Sequence, residues 1–331
     1  MTRNVTLLPG DGIGRELVDP VLRVLEAVHP EVTFERAAAG RDAHRETGES
    51  LPAATLDSIR RNRVALAGKL LARVGDPYPS PRWDLRRRLD LFAAVLPIRN
   101  LRGLPARHHD VDIVVVRQAT EDIYAGLEDR IRDGIVASIK VVTAAASTRI
   151  TRFAFEWARR YGRRHVTLVH KANIMKITDG LFIETAESVA AEYPDIGFRK
   201  MIVDAACMQM MLRPSQFDVL LMGNLYGSII SDLGAGIVGG ISASFGACLN
   251  EDIAVFEALH GDAPHLEGTG KANPLPLLLP ALNMLEHLGE RDKAERIRAA
   301  VGRTLERGVR TPDLGGSATA DEMARTIVGE L

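Results

Sequence analysis

The chain has 331 residues, of which 46% are hydrophobic and 26% are charged, so it has enough apolar material for a sizeable core and is not disordered as its main state. The formal net charge of −1 argues against a nucleic-acid binder and against a polybasic membrane anchor. Its two cysteines, Cys207 and Cys248, are too few for a disulfide framework or a four-cysteine zinc site, and we expect a cytoplasmic location.

Apolar runs and helical spacing predict strands and helices that alternate along the chain. The predicted strands are 5–9, 112–117, 166–170 and 218–222; residues 198–203 are predicted to be extended, and 64–67 is another short apolar run before a loop. The predicted helices are 15–28, 83–92, 150–161, 179–193, 231–238, 276–288 and 291–307. No apolar run has the roughly 18 residues of a membrane span. The alternation indicates an α/β fold with a largely parallel sheet.

A glycine-rich turn follows the first predicted strand. Gly10, Gly12 and Gly14 resemble the dinucleotide-binding pattern G-x-G-x-x-G, but Arg15 stands where its last glycine belongs. A tight turn that needs positive φ is the favoured interpretation.

Several arginines lie near predicted strand ends. Arg82 and Arg86 share one face of a helix, and Arg117 ends the run 112–117. A solvated basic face is the usual outcome for such a run, whereas a buried guanidinium at a strand end needs an anion. These residues favour a polycarboxylate or phosphate-like substrate.

Other polar residues follow other strands. Lys171 and Asn173 come after 166–170, and Asp204 comes after 198–203. Asp232 opens a helix, where it is either an N-cap or a ligand. Paired aspartates together with a chelating substrate suit Mg²⁺ or Mn²⁺. The glycine-rich stretch 257–274 would let the backbone approach a planar or phosphorylated ligand.

Together these stretches resemble the isocitrate, homoisocitrate and 3-isopropylmalate dehydrogenases, the metal-dependent β-decarboxylating dehydrogenases. The matching motifs are 8–16, 85–92, 120–124, 169–173, 224–227, 231–232, 256–261 and 311–316. The resemblance implies a two-domain, three-layer α/β/α fold that is not a standard Rossmann fold. It places a large cofactor-side domain at 1–98 plus 247–331 and a small domain with dimer contacts at 99–246.

The resemblance also implies roles for single residues. Lys171 would assist deprotonation of the substrate hydroxyl, Tyr124 would protonate the enolate, and Asp204 would act beside them and join Asp232 in holding Mg²⁺ or Mn²⁺. The implied substrate-binding residues are Ser80, Arg82, Arg86, Arg99, Arg117 and Asn173. The residues implied to bind NAD or NADP are Glu257, His260, Gly261, Asp262, Ala263, Pro264, His265 and Asn273. Because the lysine and one aspartate of this family come from the partner subunit, the resemblance implies a homodimer with shared active sites.

Three departures from the family pattern bear on function. Ser228 stands where the family has a metal-binding aspartate, and Leu96 stands where it has a carboxylate-binding arginine. His265 occupies the position that separates NAD from NADP enzymes, which leaves the cofactor preference open.

The substrate-discriminating helix points to the substrate class. Ser80 and Arg82 occupy positions where isocitrate enzymes carry Ser and Asn, so the γ-group of the substrate is expected to be anionic. We therefore predict oxidative decarboxylation of a polyanionic, 3-substituted malate: isocitrate, homoisocitrate or the phosphonate analogue 3-(phosphonomethyl)malate. The alternative, suggested by Ser228 and Leu96, is a catalytically impaired regulatory subunit of a hetero-oligomer.

Overall fold

The computed structural model describes residues 3–72, 76–240 and 245–331. The strands in these ranges are β1 (Arg3–Leu8), β2 (Val32–Arg36), β3 (Val64–Ala67), β4 (Ala93–Arg99), β5 (Asp112–Gln118), β6 (Glu128–Arg132), β7 (Ile135–Ser138), β8 (His165–His170), β9 (Gly197–Ile202), β10 (Val219–Met222), β11 (Phe245–Leu249) and β12 (Ala254–Ala258). The helices are α1 (Gly14–Glu26), α2 (Arg41–Thr47), α3 (Ala53–Asn62), α4 (Pro81–Arg88), α5 (Ala144–Arg160), α6 (Thr178–Ala190), α7 (Val203–Leu212), α8 (Asn224–Val238), α9 (Leu275–His287), α10 (Arg291–Glu306) and α11 (Ala320–Gly329). The predicted α/β class is confirmed.

The chain divides into two compact units. The first unit contains Met1–Leu89, Asn100–Arg107 and Gly239–Leu331, and the second contains Asp90–Arg99 and His108–Val238. The boundaries expected from the sequence placed residues 90–98 in the first domain. The structure instead places β4 in the second unit, because β4 pairs along its whole length with β5. The roles assigned to the two domains stay predictions.

In the first unit the strand order is β2-β1-β3-β12-β11. All neighbouring strands are parallel except β11 and β12, which are antiparallel. Helix α9 packs against β11 and β12 and is buried on almost every side. A helix that is apolar all round is typical of a protein core, which explains the apolar run of this segment.

In the second unit the strand order is β4-β5-β10-β8-β9. Only β4 is antiparallel to its neighbour, and the other strands run parallel. The carboxyl ends of β5, β8, β9 and β10 therefore lie at one edge of these strands. In α/β sheets that edge is where ligands bind.

The second unit also carries a hairpin of β6 and β7 that the sequence did not predict. Its side chains are mostly exposed, and several of them are large and apolar. They are Leu127, Ile131, Ile135, Val136 and Ile139. Exposed apolar side chains that form a contiguous patch are typical of an interaction surface.

No helix within residues 3–72, 76–240 and 245–331 is long and apolar enough to cross a membrane.

Candidate active site

In the first unit, Glu257 at the end of β12 binds both arginines of α4. Its Oε2 accepts a hydrogen bond from Arg82 Nε at 2.6 Å and one from Arg86 Nη2 at 3.1 Å. The side chains of Glu257 and Arg86 are only 5% and 7% exposed, and that of Arg82 is 26% exposed. Burial acts to raise the pKa of Glu257, but the two positive charges outweigh it and hold the pKa at about 2. The two arginines therefore carry an internal counterion.

This cluster keeps one donor and one acceptor available. Arg86 Nε and Glu257 Oε1 are both buried and have no hydrogen-bond partner among the described residues. Buried polar atoms are normally paired, so unpaired ones at a suspected site point to a ligand. Sequence reasoning assigned Glu257 to the cofactor and missed its contact with the arginines, from which 171 and 175 residues separate it.

Ser80 has a local structural role. It is the N-cap of α4, and its hydroxyl accepts a hydrogen bond from the Trp83 amide at 3.5 Å. Pro81 at the first helical position completes this helix start. Its predicted contact with substrate stays a prediction.

The glycine turn after β1 is explained by packing within the protein. Gly10 has φ +81°, and a Cβ there would lie 2.7 Å from the backbone of Gly68 and Lys69. A Cβ on Gly68 would lie 2.2 Å from the Pro9 carbonyl oxygen. The two loops thus touch backbone to backbone, which agrees with a tight turn and requires no nucleotide.

The loop after β12 has different properties. His260 is buried, and burial lowers its pKa, so the imidazole is neutral at pH 7. Its Nδ1 lies 2.8 Å from the Gly261 carbonyl oxygen, which assigns the proton to Nδ1. Nε2 is then a buried acceptor, and it has no partner in the described part of the chain. Gly261 meets no atom within 4 Å of its missing Cβ, so the protein's own packing does not require glycine there.

The other residues expected to bind cofactor lie on the same segment. Pro264 and His265 are exposed, Asp262 is partly exposed, and Ala263 has φ +39°. Asn273 is buried, donates to Asp313 Oδ2 at 3.0 Å and accepts from the Leu275 amide at 2.9 Å. An open loop beside unpartnered buried atoms of His260 and Glu257 fits a nucleotide ligand in its chemistry.

In the second unit, the structure brings Arg117, Tyr124 and Ser228 together. The Tyr124 hydroxyl lies 2.9 Å from Ser228 Oγ, and the Arg117 guanidinium lies 5.2 Å from the centre of the Tyr124 ring. Arg117 is buried at the end of β5, and its Nε donates to Asn224 Oδ1 at 2.6 Å. Asn224, which sequence reasoning left without a role, thus fixes the direction of this guanidinium.

Lys171 and Asp204 form a second group. Lys171 follows β8, Asp204 lies in the first turn of α7 after β9, and their side chains form an ion pair. The Lys171 side chain is 24% exposed and that of Asp204 is 65% exposed. Asn173, two residues further on, is exposed.

The predicted metal ligands have the oxygen atoms that suit a divalent cation, but too few of them lie together. Ser228 and Asp232 lie one turn apart on α8, and both offer the hard oxygen atoms that Mg²⁺ prefers. Asp204 is instead paired with Lys171. Across the described ranges no three His, Cys, Asp or Glu side chains gather closely enough to hold a metal.

Arg99 does not join these groups. Because β4 is antiparallel to β5, Arg99 lies opposite Asp112 at the start of β5, whereas Arg117 lies near its end. Arg99 Nε donates to Asp112 Oδ1 at 2.6 Å in an exposed ion pair. The structure gives Arg99 no place beside Arg117 and Tyr124, and we leave it out of the proposed site. Leu96, at the position of the missing arginine, is buried and pairs with Val115.

Comparisons with known proteins agree with this picture. Residues 4–327 match the family model described as isocitrate/isopropylmalate dehydrogenase. The chain is 41% identical over 328 residues to mitochondrial isocitrate dehydrogenase (NAD) catalytic subunit 5 of Arabidopsis thaliana, covering 98% of this chain and 88% of that protein. It is 44% identical over 336 residues to regulatory subunit 1 from the same plant, covering 99% and 90%. The crystal structure of isocitrate dehydrogenase from Methylococcus capsulatus is 46% identical and has a TM-score of 0.94, with 99% of both chains covered. The chain therefore belongs to the isocitrate/isopropylmalate dehydrogenase family, whose members are β-decarboxylating dehydrogenases.

Proposed function

We propose that the chain is a catalytically active dehydrogenase that oxidises and decarboxylates a 3-substituted malate with an anionic γ-group, and that isocitrate is its first candidate substrate. The observation that carries this proposal is the set of groups at one strand edge of the second unit. The Tyr124 hydroxyl is held beside Ser228, the Arg117 guanidinium is buried at the end of β5, and Lys171 is paired with Asp204.

These residues account for the proton movements of the reaction. Lys171 passes a proton to its partner Asp204 and takes the proton of the C2 hydroxyl as the hydride leaves that carbon. After the β-carboxylate departs as CO₂, the Tyr124 hydroxyl gives its proton to C3 of the enolate. Arg117 binds a substrate carboxylate in a direction set by Asn224.

The nicotinamide cofactor, when bound, supplies the hydride acceptor. His260 Nε2 and Glu257 Oε1 are the buried acceptors that would face donors of this ligand. The exposed His265 can donate to a ribose hydroxyl or, when protonated, pair with a 2′-phosphate. We propose NAD as the cofactor, with NADP as the alternative, because the relatives described above are NAD enzymes.

We further propose that two copies of the chain assemble and complete the metal site. Asp232 and Ser228 of one copy would hold Mg²⁺ or Mn²⁺ together with Asp204 of the other, where the cation would polarise the 2-oxo group. Large apolar side chains are exposed close in sequence to Lys171 and Asp204, which suits burial against a second copy. They are Ile174, Ile177, Met208 and Leu212.

The Glu257 cluster narrows the substrate class. An unpartnered Arg82 would favour a highly charged γ-group such as a phosphonate. Arg82 instead shares Glu257 with Arg86, so the three side chains together carry a net charge of about +1. That charge is matched by a single carboxylate, which favours isocitrate or homoisocitrate over 3-(phosphonomethyl)malate.

The alternative function is that of a regulatory subunit. Ser228, Leu96 and the 44% identity to a regulatory relative favour it, whereas the presence of Lys171, Tyr124, Asp204 and Asp232 favours activity.

Kinetic measurements on the purified chain alone separate these two functions. It should reduce NAD or NADP with isocitrate and Mg²⁺ or Mn²⁺. Its kcat/KM for homoisocitrate, 3-(phosphonomethyl)malate, isopropylmalate and malate should be equal to or lower than its kcat/KM for isocitrate. A chain that is inactive alone on the whole panel, but raises the activity of an added catalytic subunit, would establish the regulatory function instead.

A further inference from the structure

A buried ion pair in the second unit has no part in the mechanism proposed above. Lys140, two residues after β7, places its Nζ 2.5 Å from Asp179 Oδ1. The two side chains are only 14% and 3% exposed. The Lys140 ammonium also lies 4.8 Å from the centre of the Tyr226 ring. Burying two charges costs free energy unless good geometry and further hydrogen bonds compensate, so stability alone does not explain such a pair in a core.

The second oxygen of Asp179 supplies an explanation. Asp179 Oδ2 accepts a hydrogen bond from the backbone amide of Lys171 at 2.6 Å. Asp179 lies in the first turn of α6, where the helix dipole favours a carboxylate. A buried side chain of one helix thus holds the first residue of the loop that leads into that helix.

The loop at 171–177 is folded around the same residue. The amides of Ile174 and Met175 both donate to the Lys171 carbonyl oxygen, at 3.0 and 2.9 Å. The amide of Asp179 donates to the Met175 carbonyl oxygen at 3.1 Å. Both backbone groups of Lys171 are therefore fixed, whereas its side chain is free to reach Asp204.

We infer that Asp179, held in place by Lys140, is a positioning residue for Lys171. The inference rests on the proposed role of Lys171 in the reaction. Lys140 fixes the direction of the Asp179 carboxylate, Asp179 fixes the Lys171 backbone, and the Lys171 amine is thereby placed for the hydroxyl proton.

A set of variants tests this inference on the full-length chain. Asp179→Ala removes the acceptor, and we expect kcat for isocitrate to fall about 10- to 100-fold with little change in KM, the size expected for misplacement of a reacting group. Asp179→Asn combined with Lys140→Met keeps an acceptor for the Lys171 amide and removes both charges of the pair. Asp122, whose Oδ1 lies 4.0 Å from Lys140 Nζ, keeps its hydrogen bonds from the Ile123 and Leu225 amides in this variant. The double variant should return kcat to within about 3-fold of wild type. Glu192→Gln, in the exposed Arg152–Glu192 pair of the same unit, is the matched control and should leave kcat unchanged.

A double-mutant cycle with Lys171→Met gives a second readout. In that background Asp179→Ala should cause no further loss of kcat, because the amine that it positions is gone. Additive losses would overturn the inference, as would wild-type kcat in a folded Asp179→Ala protein or failure of the neutral pair to restore activity. If Lys171→Met itself keeps full activity, the proposed role of Lys171 fails and the inference fails with it. If Lys171→Met loses activity but Asp179→Ala keeps full activity, the positioning role of Asp179 is wrong and the proposed role of Lys171 stands.

Discussion

The two units hold their charged site residues in opposite ways. In the first unit, Glu257, Arg82 and Arg86 form a buried cluster in which one carboxylate serves two guanidinium groups. In the second unit, the Lys171 amine and the Asp204 carboxylate meet in an ion pair in which Asp204 is 65% exposed. The groups proposed to recognise charge are fixed by the protein itself, whereas the groups proposed to move protons are open to substrate or to another chain.

The largest effect that this contrast predicts is on the chemical steps. Lys171→Met should lower the rate of hydroxy-acid oxidation by about 10²- to 10⁴-fold, the usual contribution of a general acid or base. Tyr124→Phe should mainly slow reprotonation after CO₂ is lost. Supplying the 2-oxo-3-carboxy intermediate directly, and following its conversion, separates the two steps. Equal defects of both variants on that intermediate would contradict the division of roles.

Removing the counterion of the first unit should mainly reduce stability. Glu257→Gln removes the counterion of the buried Arg86 and the partly buried Arg82, and we expect it to lower the free energy of unfolding by about 3–5 kcal/mol at pH 7. Because the pKa of Glu257 is held at about 2 instead of 4.5, its contribution is fully present above pH 4.5 and is lost as the pH falls towards 2. Urea unfolding at several pH values should therefore show the difference between variant and wild type shrinking in that range. Glu306→Gln, in the exposed Arg102–Glu306 pair of the same unit, is the control and should show a small difference at every pH.

Arg82 tests whether the first unit recognises the γ-group. Arg82→Asn should lower kcat/KM for 3-(phosphonomethyl)malate by a factor that corresponds to about 1.5–3 kcal/mol, the worth of a charged hydrogen bond. It should leave isocitrate and malate unchanged, since the resemblance places Asn at this position in isocitrate enzymes. Arg87→Asn, on the exposed face of the same helix, should change none of these values. An equal loss on malate would show that Arg82 instead replaces the arginine lost at Leu96.

The smallest predicted effect concerns the metal. Ser228→Asp should lower the Mg²⁺ or Mn²⁺ concentration needed for half-maximal activity by about 10-fold, because a carboxylate replaces a neutral ligand. Ser228→Ala should raise it. Mn²⁺ should support the wild-type enzyme better than Mg²⁺, which demands near-ideal geometry. Activity that persists in excess chelator would refute the metal proposal itself.

The sequence predicted most of the elements because their signals are local. The runs 112–117 and 166–170 lie within β5 and β8, and the spacing at 291–307 matches α10 to within one residue. The start of α8 was placed seven residues too late, because Gly227 and the polar residues around it weaken the helical pattern. The hairpin of β6 and β7 was missed because both strands are short and largely exposed and β6 is mostly charged.

The sites were harder to predict because they depend on contacts between distant residues. Arg99 was predicted to bind substrate because the local sequence does not determine the direction of a strand. In the structure β4 is antiparallel to β5, so Arg99 lies at the opposite end of β5 from Arg117. The Glu257 contact with Arg82 and the Asp179 contact with Lys140 each join segments that no motif connects. The sequence identified which types of residue take part in the sites, whereas only the fold showed which residues contact one another.

Asp122 links two of the structural segments described above. It has φ +75°, an unfavourable conformation for a non-glycine residue, and its two carboxylate oxygens accept from the Ile123 amide at 2.8 Å and the Leu225 amide at 2.9 Å. The turn that carries Tyr124 is thereby bound to the start of α8, the helix of Ser228 and Asp232. The Tyr124 hydroxyl and Ser228 Oγ, 2.9 Å apart, are therefore joined through the backbone contacts of Asp122 as well as through their own side chains.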